Sequence, residues 1–131
     1  MLDIQCGPLL RYVWTDVISN PQQPVSLYTL LIVTNDLGSD YSKSPILRIT
    51  GHELRDRQES IEVLSENIHQ ERGVTFWRWK IHITLGDKEH LIKYSINGSQ
   101  EDIGFWIPAA HQSMRIVFHT CNGTLYPLNT N

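Results

Sequence analysis

The stretch VTFWRWKIHITL, Val74 to Leu85, places two of the chain's four tryptophans one residue apart, with an arginine between them and a lysine just after. Trp77, Trp79, Ile81, Ile83 and Leu85 fall at a spacing of two, while Arg78, Lys80, His82 and Thr84 occupy the intervening positions. Successive side chains of a strand point to opposite sides of the sheet, so this pattern describes a strand with one core face and one wet face. An aromatic strip with basic neighbours is also how single-strand nucleic-acid binders stack bases. Here the alternation sends the tryptophans to the side opposite Arg78 and Lys80, which favours a packed core.

Working outward, the same signal recurs. LLRYVW (Leu9 to Trp14), SLYTLLIV (Ser26 to Val33), PILRI (Pro45 to Ile49), SIEVLS (Ser60 to Ser65), EHLIKYSI (Glu89 to Ile96), IGFWI (Ile103 to Ile107) and SMRIVFHT (Ser113 to Thr120) are short apolar or alternating runs bounded by turn residues. With the opening stretch they predict about seven to eight strands. Gly86-Asp87-Lys88 supplies a tight turn, after which Ile92, Tyr94 and Ile96 alternate with Lys93 and Ser95. Val74–Leu85 and Glu89–Ile96 are therefore expected to pair as a hairpin, closed at its far end by Asn97-Gly98, two residues that tolerate positive φ. Between His52 and Gln70, helix-forming residues and charge spacing compete with β-branched and serine content, leaving strand and helix open with strand plus loop preferred. The expected architecture is all-β, an antiparallel sandwich of immunoglobulin/fibronectin type.

The 131 residues fit one domain, 1–131, with no internal linker, repeat or low-complexity tract. A formal charge of −3 and a pI near 6.0 give no footprint for nucleic acid or an anionic membrane. No run of about 18 apolar residues occurs, and MLDIQCGPLL has neither the basic start nor the apolar centre of a secretory signal. The expected setting is intracellular and cytoplasmic, without membrane insertion. There Cys6 and Cys121 are free thiols and the sequons at Asn97 and Asn122 stay unmodified.

Candidate chemistry is sparse. Phe105 and Trp106 are adjacent, so one of them faces outward or covers a sheet edge. With His111 of the PAAHQ loop they form a candidate binding strip for a small ligand or peptide. His82 and His90 sit on the two arms of the expected hairpin but bring no third or fourth zinc ligand. His119 and Cys121 share parity on a strand without a group to orient them, a weak case for a nucleophilic pair. The carboxylates are scattered, and no phosphate-cradling glycine loop or G-x-S-x-G elbow is present. No catalytic residues, metal ligands or cofactor are expected.

Three stretches, CGPLLRY (Cys6–Tyr12), FWRWKIHITLGDKEHLIKYSING (Phe76–Gly98) and FWIPAAHQSMRIVFHTCNG (Phe105–Gly123), resemble in order and spacing the amino-terminal region of fungal PhoD-like phosphatase domain proteins. In that family a chain opening on Gly-Pro-Leu-Leu-Arg-Tyr runs through a β-rich domain to a Met-Arg strand and a Ser-Cys-Asn-Gly segment. The resemblance implies a β-sandwich preceding a metallophosphoesterase domain, whose metal-binding aspartates, asparagine and histidines follow the Cys-Asn-Gly segment. No position here matches those ligands. Where the family continues with a Phe-Ser type sequence, this chain reads TLYPLNTN. The expectation is a noncatalytic amino-terminal domain, or a truncated form, whose partner is a phosphatase catalytic domain in cis or trans. Cys6, Gly7, Arg11, Cys121 and Asn122, at the two matching ends, are the expected interface residues. The alternative is a stand-alone binding module.

Overall fold

A computed structural model describes residues 1–51, 53–54, 57–58, 60–98 and 103–113. The regular elements among them are ten strands: β1 Ile4–Asp16, β2 Val25–Asn35, β3 Ile46–Thr50, β4 Glu53–Leu54, β5 Arg57–Gln58, β6 Ile61–Leu64, β7 Glu66–Glu71, β8 Val74–Thr84, β9 His90–Ile96 and β10 Ile103–Ile107. Eight form two antiparallel four-stranded sheets, ordered β1-β2-β8-β7 and β10-β9-β3-β6, and β4 and β5 make a separate two-stranded ladder. Apart from that ladder, the strands in chain order take the places A, B, C, C′, D, E, F and G of an immunoglobulin-type sandwich. The segment from His52 to Gln70, open between strand and helix in sequence, contributes strands.

The opening stretch is the strand its alternation predicts. Along β8, Trp77, Trp79, Ile81 and Ile83 are buried, and Lys80, His82 and Thr84 are exposed. On β2 beside it, Tyr28, Leu30 and Ile32 are buried in the same layer. The second sheet answers with Leu47 and Ile49 from β3, Ile92, Tyr94 and Ile96 from β9 and Ile107 from β10. Each of these large apolar side chains contributes about 1.5–3 kcal/mol relative to exposure, so this single layer is what holds the two sheets together.

The expected hairpin between Val74–Leu85 and Glu89–Ile96 is not formed. β8 pairs with β2 and β7, and β9 pairs with β3 and β10 in the other sheet, so Gly86–Glu89 crosses from one sheet to the other. The physical reason lies in the two apolar faces, which are both one-sided and meet across the core instead of lying side by side. His82 and His90 consequently belong to different sheets. The tight hairpin at β8 lies at its other end, where Arg72 (φ 51°) and Gly73 (φ 78°) join Glu71 to Val74. Two positive φ values in a two-residue loop match the twist of the flanking strands. Asn97 (φ 52°) and Gly98 (φ 69°) end β9 as their residue types predict.

Candidate functional site: the outer face of the first sheet

β2 is central in its sheet, yet its outward residues Val25, Leu27, Thr29, Leu31 and Val33 are apolar except one, and all are half-buried. A central strand that faced water on that side would carry polar residues there. Antiparallel register sets these residues into rows crossing the sheet. Cys6, Val33, Phe76 and His69 form one row, and Leu9, Leu31, Arg78 and Glu66 the next. Arg11, Thr29 and Lys80 follow, then Trp14, Leu27 and His82. Leu9 is 52% exposed and Trp14 51%, so the β1 ends of these two rows are open to solvent.

β1 is turned into this arrangement by its irregularities. Its register with β2 shifts between Ile4 and Cys6, between Cys6 and Leu9, and between Tyr12 and Trp14. An extra residue in one strand of a pair flips every later side chain to the opposite face. Tyr12 lies opposite buried Tyr28, so without the extra Val13 the indole of Trp14 would point inward at Ser26; with it, Trp14 lies opposite Leu27 on the outer face. Thr15 takes the inner place instead and shares a 2.8 Å hydrogen bond with Ser26. The shift before Leu9 is made at Gly7 (φ 93°), where a Cβ would stand 2.5 Å from the Leu31 carbonyl oxygen.

The face carries a basic centre. Arg78 donates to Glu66 at 2.9 Å, and Lys80 lies 3.9 Å from the same carboxylate. The Arg78 hydrogen bond, aided by the nearby positive charge of Lys80, holds Glu66 below the usual carboxylate range. Arg11 has no ion-pair partner among the described residues.

Of the expected interface residues, Cys6 and Arg11 are both exposed and share this outer face, and Gly7 makes the bulge that orients the strand. Cys121 and Asn122 lie outside the described residues, as do the SMRIVFHT run beyond Ser113 and the His119/Cys121 pair. The last described residues fold back on the Gly86 turn, where the Ala110 amide donates to the Gly86 carbonyl at 2.8 Å, at the opposite end of the sandwich from Cys6. The expected binding strip is dispersed. Phe105 faces the core, with its ring 5.2 Å from Tyr28 and 6.0 Å from Tyr94, whereas Trp106 stands opposite Leu91 on the outer side of the second sheet, 65% exposed. His111 is exposed beyond β10.

A cleft of about 400 Å³ opens between the start of β1 and the β9–β10 edge, lined by Leu2, Ile4, Pro8, Tyr94 and Ile103 among others. Among the described residues, no three His, Cys, Asp or Glu side chains gather where they could hold a metal ion, and no helix is long and apolar enough to cross a membrane. The sequence signal for the outer face was present in β2, whose LYTLLIV run is apolar at both parities. Such a run reads as a strand covered on both sides.

No family model matches the chain, and no solved structure matches it. It is similar to an uncharacterized protein of Saccharomyces cerevisiae, 21% identical over 131 residues that make up 98% of this chain and 19% of that protein. The chain thus spans about a fifth of the length of the curated relative it matches.

Proposed function

We propose that this chain is a noncatalytic docking domain, the amino-terminal β-sandwich of a PhoD-like metallophosphoesterase, and that it supports the phosphatase catalytic domain through the outer face of its first sheet. The observation that carries this reading is the two-faced apolar character of β2, continued at the open edge by Leu9 and Trp14. Exposed apolar side chains flanking a polar row on the outer side of a central strand mark a protein-binding face. The resemblance of the three sequence stretches supplies the kind of partner. The greater length of the yeast relative agrees with a sandwich that is one part of a larger protein. The interface residues named from that resemblance, Cys6 and Arg11, belong to the same face. In this reading the domain works in the cytoplasm, where the exposed thiol of Cys6 stays reduced.

The test begins with the transcript across the codons for Cys121 to Asn131. If the frame continues into a segment rich in Asp, Asn and His, that segment is expressed separately and passed over the immobilised chain. Retention by the wild type and loss with Leu31→Asp are expected. A frame that stops, or a phosphatase segment that flows past the wild-type chain, removes the proposal, and so does chelator-sensitive phosphatase turnover by the chain itself.

A further inference from the structure

We infer that the element docking on this face is an amphipathic helix that presents a carboxylate to Arg11 and Lys80, with an apolar side chain one turn before it and another one turn after. This rests on the docking reading above and specifies the chemistry of what docks. The rows of the outer face are ordered apolar, basic, apolar: Leu9 with Leu31, then Arg11 with Lys80 across Thr29, then Trp14 with Leu27. Neighbouring rows along a strand are about 6.6 Å apart, two residues at about 3.3 Å each. Positions i and i+4 of a helix are separated along its axis by about 6.0 Å. A helix lying along β1 and β2 therefore matches the three rows with side chains at i, i+4 and i+8.

Charge selects the middle side chain. Arg11 has no ion-pair partner among the described residues, and the nearest carboxylate to Lys80, Glu66, is already engaged more closely by Arg78. Covering this row with a neutral apolar surface would strip water from a cation without replacing it. A carboxylate at i+4 meets both cations and discourages partners that lack it. The choice of a helix follows from which surface is apolar. The face of a sheet offers no unpaired backbone groups, so whatever lies on it satisfies its own backbone bonds internally; a single helix does so alone, whereas a strand needs a sheet of its own.

The test uses the full chain and three synthetic helical peptides that differ at one position, with Leu at i and i+8 and Glu, Gln or Lys at i+4. Backbone amide shifts locate the binding surface. The Glu peptide is expected to shift the amides of Leu9, Leu31 and Lys80 and to bind about tenfold more tightly than the Gln peptide. The doubly substituted chain R11E/K80E, altered at two exposed residues, is expected to stay folded, with a small loss of stability from the new carboxylate beside Glu66, and to prefer the Lys peptide. Equal binding of the Glu and Gln peptides at the same face would overturn the inference while leaving the docking reading intact. It would also fall if no peptide bound, if shifts were confined to the cleft at Leu2, Tyr94 and Ile103, or if phosphatidylserine vesicles shifted the face and the peptides did not. In those cases the docking reading still stands or falls on retention of the catalytic segment.

Discussion

The indole N–H of Trp77 donates to the hydroxyl oxygen of Thr34 across 3.0 Å, from β8 to β2 inside the sandwich. The contact begins a chain of donors. Thr34 and Tyr41 share a hydroxyl hydrogen bond, and the Tyr41 hydroxyl donates to Asp36 at 2.7 Å. Asp36 also receives the Thr75 hydroxyl at 2.7 Å and the Gln70 amide at 3.1 Å. A buried tryptophan near the sheet's end is thus connected to a surface carboxylate without an unpaired group between them.

Replacing Thr34 with valine keeps the shape and removes the relay. The Trp77 N–H then loses its acceptor inside the core, at a cost of about 1–3 kcal/mol. Urea unfolding is expected to show that loss for Thr34→Val and a smaller one for Thr34→Ser; a Val variant as stable as the wild type would contradict the relay's role.

The hydroxyl of Thr75 first, then that of Tyr41, hold the Asp36 carboxyl below its ordinary value of 3.8. A carboxylate depressed by folding adds stability that is fully present above that ordinary value and is lost as pH falls through the lower folded one. Melting temperature is expected to drop between pH 5 and pH 2 and to drop less in Asp36→Asn. Asp16, Asp40 and Glu66 are depressed too, so some acid sensitivity persists in the variant. Parallel curves for the two proteins would exclude the contribution of Asp36.

Leu30 and Leu31 are neighbours with opposite duties. Leu30 is fully buried, and Leu30→Ala is expected to cost about 2–5 kcal/mol in unfolding free energy. Leu31→Asp, on the outer face, is expected to cost about 1 kcal/mol or less while abolishing partner retention. Chemical denaturation of both, beside a binding assay, separates the core from the proposed docking face; the reverse order of losses would mean the face assignment is inverted.

Two glycines with positive φ predict different penalties. At Gly73 (φ 78°) an added Cβ meets nothing within 4 Å, whereas at Gly7 (φ 93°) it meets the Leu31 carbonyl. Gly73→Ala is expected to cost about 1 kcal/mol from backbone conformation alone, and Gly7→Ala distinctly more. Thermal unfolding of the pair checks this, and equal losses would show that β1 can shift to admit the methyl group.

The period-two pattern made most strands legible, with β8 and β10 nearly residue for residue, because each buries a single face. It also indicated that Phe105 and Trp106 could not both be buried, without telling which of them faces out. The pairing of β8 with β9 was misread because a short turn between two one-sided strands suits a hairpin and a sheet-to-sheet crossing equally well; only the partners of each strand decide. Trp14 shows another limit. No residue type announces that Val13 is the extra residue, so the side on which the indole emerges depends on pairing with β2. The outer face was readable in the double-sided run of β2, and Cys6 and Arg11 came from resemblance, not from pattern.

The crossing at Gly86–Glu89 also governs how the chain folds in time. β8 finds its partner β2 only after the whole of β3 to β7 has been made, and the Trp79 layer closes only when β9 has swung across to the other sheet. Such remote pairings pay their loop-closure entropy before any contact repays it, which places this sandwich among slow, millisecond-to-second folders. The Arg72–Gly73 hairpin is the most local pairing available to β8. β7 and β8 can therefore pair before β9, which completes the second sheet over Trp77 and Trp79, has been made.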